Sequence, residues 1–129
     1  MAKMVMTSAV NSNICFIGGG NMAQALIGGI ISRGLPPTRI TVSDPVEQIR
    51  QLLQEKEVHV TQDNVAAIKN ADVVVLAVKP QVLATVLRPL KGLLSDKLVI
   101  SIIAGAEIQT ISNLIDSNRI VRVMPNTPA

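Results

Sequence analysis

Residues 14–23, Ile-Cys-Phe-Ile-Gly-Gly-Gly-Asn-Met-Ala, constrain the fold more than any other stretch. A short apolar run meets three glycines, and a helical pattern begins at once. The spacing Gly18-x-Gly20-x-x-Ala23 is that of a strand-to-helix turn which carries a dinucleotide diphosphate. Gly18 permits the tight turn out of the strand. Gly20 lacks a Cβ, so backbone can approach a pyrophosphate, and Ala23 lets the helix pack closely on its strand. The free N–H groups of the first helical turn, and its dipole, then favour an anion. Glycine loops also make ordinary turns, so the motif takes its weight from the rest of the chain.

The rest of the chain alternates between two periodicities. A helix is predicted over 21–33, followed by Gly34 and stopped by Pro36 and Pro37. Gly28 and Gly29 lie inside it and read as close-packing positions on a sheet. Residues 39–43 are a β-branched strand closed by Asp44-Pro45. Residues 46–56 repeat Val46, Ile49, Leu52 and Leu53 at helical spacing. Residues 58–60 form a short third strand, and Asp63 or Asn64 caps a short helix to Lys69. The unbroken apolar run at 72–78 marks a strand buried on both faces, hence parallel and central. Pro80 opens a helix carrying Val82, Leu83, Val86, Leu87 and Leu90, with Pro89 and Gly92 bounding its end. A fifth strand over 97–103, a helix with Ile108, Ile111, Leu114 and Ile115, and a sixth strand over 119–124 complete the pattern. Six strands alternating with five helices predict an α/β fold, a Rossmann-type doubly wound parallel sheet of order 3-2-1-4-5-6.

Bulk properties narrow the function classes. The 129 residues suffice for one domain, with 1–12 as a loose tail and 13–129 as the folded unit. At 48% hydrophobic and 16% charged, the chain is not of disordered type. The net charge of +3 is scattered and Phe16 is the one aromatic, which is poor material for stacking bases, so no nucleic-acid partner is expected. No apolar run reaches membrane-spanning length, so no membrane association is expected either. Cys15 is the single cysteine, which fits a reducing, cytoplasmic setting, and it reads as a small buried apolar residue. His59 is the single histidine and reads as a sheet-surface residue; with one Cys and one His, no metal site is expected.

In a doubly wound sheet, ligands bind beyond the carboxyl ends of the strands, at the point where the strand order reverses. The small and polar residues fall there. Strand one ends in Ile17, Gly18, Gly19, Gly20, Asn21 and Met22, the expected pyrophosphate segment. Strand two ends in Ser43 and Asp44. Asp44 reads either as a ribose ligand or as a turn residue before Pro45. A carboxylate on the ribose repels the extra phosphate of NADP, but Ser43, Arg39 and Arg50 can hold that phosphate if Asp44 turns away, so NADP or NAD stays open. Strand four ends in Ala77, Val78, Lys79 and Pro80, strand five in Ala104 and Gly105, and strand six in Asn126. Lys79 reads as a donor to a ribose or substrate carboxylate, or as a solvated turn lysine. Asn126 reads as a substrate or carboxamide contact, or as a turn-former between prolines. Asn64 reads as a ligand or only as a helix cap. No catalytic triad, carboxylate pair or Cys-His pair assembles, and hydride transfer needs none, because the cofactor carries that chemistry. The catalytic residue is therefore unassigned.

Four segments in order, 16–23 (Phe-Ile-Gly-Gly-Gly-Asn-Met-Ala), 77–81 (Ala-Val-Lys-Pro-Gln), 101–105 (Ser-Ile-Ile-Ala-Gly) and 122–129 (Arg-Val-Met-Pro-Asn-Thr-Pro-Ala), closely resemble the pyrroline-5-carboxylate reductases. The resemblance implies reduction of 1-pyrroline-5-carboxylate to L-proline by NADPH or NADH, the last step of proline biosynthesis. It implies that residues 18–22 bind the pyrophosphate, that Ser43 and Asp44 face the adenosine ribose, and that Asn64 contacts the adenosine half. Residues 77–80, Ala104 and Gly105 then line the nicotinamide side. The family continues into a helical C-terminal domain that forms homodimers or higher oligomers and completes the site for the cyclic imino acid; that domain is absent from these 129 residues. These residues are therefore expected to bind dinucleotide with little or no turnover. The alternatives are another two-domain Rossmann enzyme, such as a deazaflavin-linked NADP reductase or a β-hydroxyacid dehydrogenase, and a dinucleotide-binding module without catalysis.

Overall fold

The computed structural model describes residues 12–123. Six parallel strands form one sheet: β1 (Ile14–Ile17), β2 (Ile40–Ser43), β3 (His59–Thr61), β4 (Val73–Leu76), β5 (Leu98–Ser101) and β6 (Ile120–Arg122). Their spatial order is β3-β2-β1-β4-β5-β6, as the alternating pattern predicts. The helices are α1 (Asn21–Ser32), α2 (Glu47–Gln54), α3 (Asn64–Ile68), α4 (Leu83–Leu87) and α5 (Ile108–Ile115).

The two faces of the sheet carry separate cores because side chains alternate along each strand. Ile14 and Phe16 of β1, with Val73 and Val75 of β4, pack with Ala23 and Ile27 of α1 and Leu53 of α2. Cys15 and Ile17, with Val74 and Leu76, pack with residues of α3, α4 and α5 on the other face. β1 and β4 are buried throughout and lie side by side, which explains their unbroken apolar sequences. Both flanking helix layers are needed to cover them.

Several elements differ from the periodicity reading for local reasons. The helix expected from Pro80 to Leu90 is three pieces: a 3-10 turn (Pro80–Val82), α4 and a second 3-10 turn (Arg88–Leu90). Pro89 lacks the N–H that would bond back to Thr85, so the α-helix stops at Leu87. Gly28 and Gly29 are not close-packing positions on the sheet; both are exposed and a Cβ at either meets nothing within 4 Å. Glu57, at φ +68°, makes the left-handed turn after α2 that glycine usually makes. Asp63 is the α3 cap, its Oδ1 accepting the Ala66 N–H at 3.1 Å. Lys97 is 6% exposed, and its Nζ donates to the Ala71 carbonyl at 2.7 Å, a buried cation that the strand pattern did not anticipate. The expectations for residues 1–11 and for 124–129, including Asn126, lie outside the described residues.

Candidate functional site

The register draws one straight row across the sheet. Thr61, Ser43, Ile17, Leu76, Ser101 and Arg122 are successive partners across the six strands. Past this row the ladders continue for one more bond each. Gly18 N–H donates to Ser43 O at 2.8 Å, Asp44 N–H to Thr61 O at 3.0 Å, Ala77 N–H to Ile17 O at 2.8 Å and Ile102 N–H to Leu76 O at 3.0 Å. The segments expected at the site therefore leave the sheet together, on one edge. Arg39 does not: it precedes β2 and so lies at the opposite edge, roughly 16 Å of extended chain from Asp44. A cavity of about 250 Å³ also sits at that opposite edge, among Asn13, Arg39, Thr41, His59 and Asn70.

The three glycines have three different tasks. Gly18 has φ +103°, and a Cβ there would lie 2.6 Å from the Ala77 carbonyl oxygen. It thus makes the turn and admits the 77–78 backbone beside it. Gly19 is buried, and a Cβ there would meet Ile49 at 2.9 Å, Val42 at 3.0 Å and Leu53 at 3.1 Å. Its task is packing of the loop on α2, which the motif alone did not disclose. Gly20 caps α1 with φ −72° and ψ −170°, and a Cβ there meets no atom of the described residues within 4 Å. Space without protein atoms beside a helix N-terminus is what a phosphate cradle requires. Asn21 is exposed and Met22 half-buried at the start of α1, where the first backbone N–H groups have no intrahelical partner. These residues fit a dinucleotide diphosphate.

Asp44 joins β2 to this loop. It is 8% exposed; its Oδ2 accepts the Gly19 N–H at 2.9 Å and its Oδ1 accepts the Val46 N–H at 2.8 Å. The Gly19 N–H, expected on the pyrophosphate, is thus already engaged. Asp44 also serves the turn before Pro45 that its sequence position suggested. Arg50 Nη1 donates to the Asp44 carbonyl at 2.9 Å. Ser43 Oγ donates to Asn64 Oδ1 in a short bond, which ties the first residue of α3 to the end of β2. Asn64 is therefore not the cap; its side chain turns to the site edge. Gln24, which the sequence reading passed over, donates from Nε2 to the Gly19 carbonyl at 2.9 Å. Its signal was a second amide, one turn after Asn21, in a largely apolar helix.

On the other side of the switch point, Ala77 and Val78 are half-buried, and Lys79 and Pro80 are exposed. Ala104 and Gly105 are exposed, and Gly105 turns at φ +74°. With the exception of Arg39, the structure thus brings the expected residues within 17–105 to one edge. Cys15 lies fully buried beneath, and burial pushes its thiol up to about 12, despite the opposing influence of Lys97, so it is a neutral core residue. Among the described residues no group of three or more His, Cys, Asp or Glu is placed to hold a metal ion, and no helix is long and apolar enough to cross a membrane.

Most of the chain is similar to known proteins. The chain is 50% identical over 123 residues to a pyrroline-5-carboxylate reductase of Pasteurella multocida, covering 91% of this chain and 45% of that protein. It superposes with TM-score 0.84 on a pyrroline-5-carboxylate reductase from Coxiella burnetii at 48% identity, over 91% of this chain and 45% of that one. It superposes with TM-score 0.78 on the Plasmodium falciparum pyrroline carboxylate reductase crystallised with NADP bound, at 32% identity, over 92% and 44% of the two chains. The chain spans about half the length of the relatives it matches. The model of the family described as NADP oxidoreductase, coenzyme F420-dependent, matches residues 13–105, from the residue before β1 to the turn after β5, and the chain belongs to that family.

Proposed function

We propose that this chain supplies the coenzyme-binding part of a 1-pyrroline-5-carboxylate reductase, with residues 13–129 as its NAD(P)-binding domain. The observation that carries the reading is Gly20: a helix N-terminus with donors exposed, at the switch point of a doubly wound sheet, facing space that no atom of the described residues fills. The 50% identity to a reductase of that name supports the choice of substrate class.

In this reading, the N–H groups of residues 20–22 hold the diphosphate, while Gly18 and Gly19 shape the turn that presents them. Ser43, Asp44 and Asn64 border the adenosine ribose. Ala77, Val78, Lys79, Pro80, Ala104 and Gly105 border the nicotinamide, and Asn126 contacts the imino acid. A bound nicotinamide dinucleotide supplies the hydride that reduces the ring C=N bond to L-proline. The protein's part is to bind and orient. Ile17 and Leu76, locked in register, fix the separation between the diphosphate turn and the nicotinamide turn. Exposed Lys79, which caps the turn after β4, offers a cation to the ribose or to the substrate carboxylate. The resemblance to the reductases implies a further region and homodimers or higher oligomers, and the single buried thiol suits a reducing cytoplasm.

Titration of the chain with NADPH and NADH tests the binding role. Assay of the protein that contains this chain against pyrroline carboxylate, a reduced deazaflavin and β-hydroxy acids tests the substrate class. The deazaflavin reading is the second one, favoured by the description of the matched family. Oxidation of deazaflavin with no turnover of pyrroline carboxylate would replace the first reading by the second.

A further inference from the structure

We propose that Arg50, and not Asp44, decides how the site treats a phosphate on the adenosine ribose, and that it favours the phosphorylated coenzyme. The inference rests on the reading of residues 43–44 as the ribose end of the coenzyme site. An acid at the end of the second strand disfavours a 2′-phosphate when its carboxylate faces the ribose. In this chain that residue is 8% exposed and both oxygens of its carboxylate already accept backbone N–H groups. Oδ2 takes the Gly19 N–H and Oδ1 takes the Val46 N–H, at 2.9 and 2.8 Å. The carboxylate's remaining lone pairs are largely shielded by that burial, and turning it out to meet ribose hydroxyls would break both bonds and strand the buried Gly19 donor. Asp44 is therefore a positioning residue, holding the glycine turn against the start of α2.

The cation is placed differently. Arg50 is half-buried, and its bond to the Asp44 carbonyl fixes the guanidinium at the carboxyl edge of β2. That bond uses one of five N–H donors, and the remaining fork suits a phosphate. Arg39 cannot share the task, because it lies at the other edge of the sheet. Glu47, in the first turn of α2, is exposed, so solvent and salt screen its charge.

The probes that test this are 2′,5′-ADP and 5′-AMP, which differ only in the 2′-phosphate, titrated calorimetrically into the chain alongside NADPH and NADH. The parent is expected to bind 2′,5′-ADP at least about tenfold more tightly than 5′-AMP. Arg50→Gln is expected to erase that ratio while 5′-AMP affinity moves by no more than about twofold. Asp44→Asn is expected to weaken both probes alike and leave the ratio standing. A parent ratio below about two overturns the proposal whatever the variants do. So does an Arg50→Gln ratio equal to the parent's, an equal loss of both probes in Arg50→Gln, or an Asp44→Asn ratio raised about tenfold. If folded parent chain binds neither NADPH nor NADH, the coenzyme reading falls together with this one; binding of both with a flat probe ratio removes this one alone.

Discussion

Gly20→Ala separates binding from folding more cleanly than any other single change. The new methyl meets nothing within 4 Å, and the backbone angles of φ −72° and ψ −170° suit alanine as well as glycine. Alanine is a poorer N-cap than glycine, which costs about 0.5–1 kcal/mol, while its stiffer unfolded chain returns about 0.4–1 kcal/mol. The net effect on stability is therefore within about 0.6 kcal/mol of zero in either direction, a shift of no more than roughly 4 °C in Tm. Coenzyme binding behaves otherwise, because the methyl occupies the space argued above to take the diphosphate. Displacing the anion from two backbone donors forfeits about 3 kcal/mol of charge-assisted hydrogen bonding, or roughly 100-fold in Kd. The chain has no Trp and no Tyr, so NADPH fluorescence reads binding without a competing protein signal. Circular dichroism melting reads the fold in the same samples. A folded Gly20→Ala chain that binds NADPH within about threefold of the parent would refute the placement of the diphosphate.

The neighbouring glycine reverses the pattern. Gly18→Ala combines a φ of +103° with a Cβ 2.6 Å from the Ala77 oxygen, and it is expected to cost about 2–5 kcal/mol in urea melts, with coenzyme loss following unfolding. Gly19→Ala meets three side-chain tips that can shift, so the expected cost is lower, about 1–3 kcal/mol by the same assay. Glu57→Gly relieves φ +68° and is expected to raise stability by about 0.5–1 kcal/mol, seen as a Tm higher by roughly 2–4 °C. The Cys15 thiol, raised from 9.0 to about 12, stays neutral in the folded chain while the unfolded chain ionises. Its contribution is thus fully present below pH 9.0 and is lost as pH rises towards about 12, at about 1.4 kcal/mol per unit. Chemical denaturation of the parent and of Cys15→Ala across that window measures it: the parent's stability is expected to fall more steeply.

The sequence by itself determined the sheet and its order. The apolar run at 72–78 marks a strand buried on both faces, and the strand-helix alternation with right-handed crossovers leaves few arrangements, of which the observed order is the obvious one. It also determined which segments share an edge, because parallel strands all finish on the same side. Tertiary structure alone decided what each residue does there. Gly19 is a packing residue because Ile49 and Leu53, on the helix after the next strand, arrive against it. Asp44 is held by the chain's own backbone because Gly19 and Val46 present two N–H donors within its reach, and Arg39 and Arg50 part company because β2 runs between them. Periodicity reports which face a side chain takes. Partners contributed by distant stretches of chain decide its direction, and those meet only once both core layers have closed on the sheet.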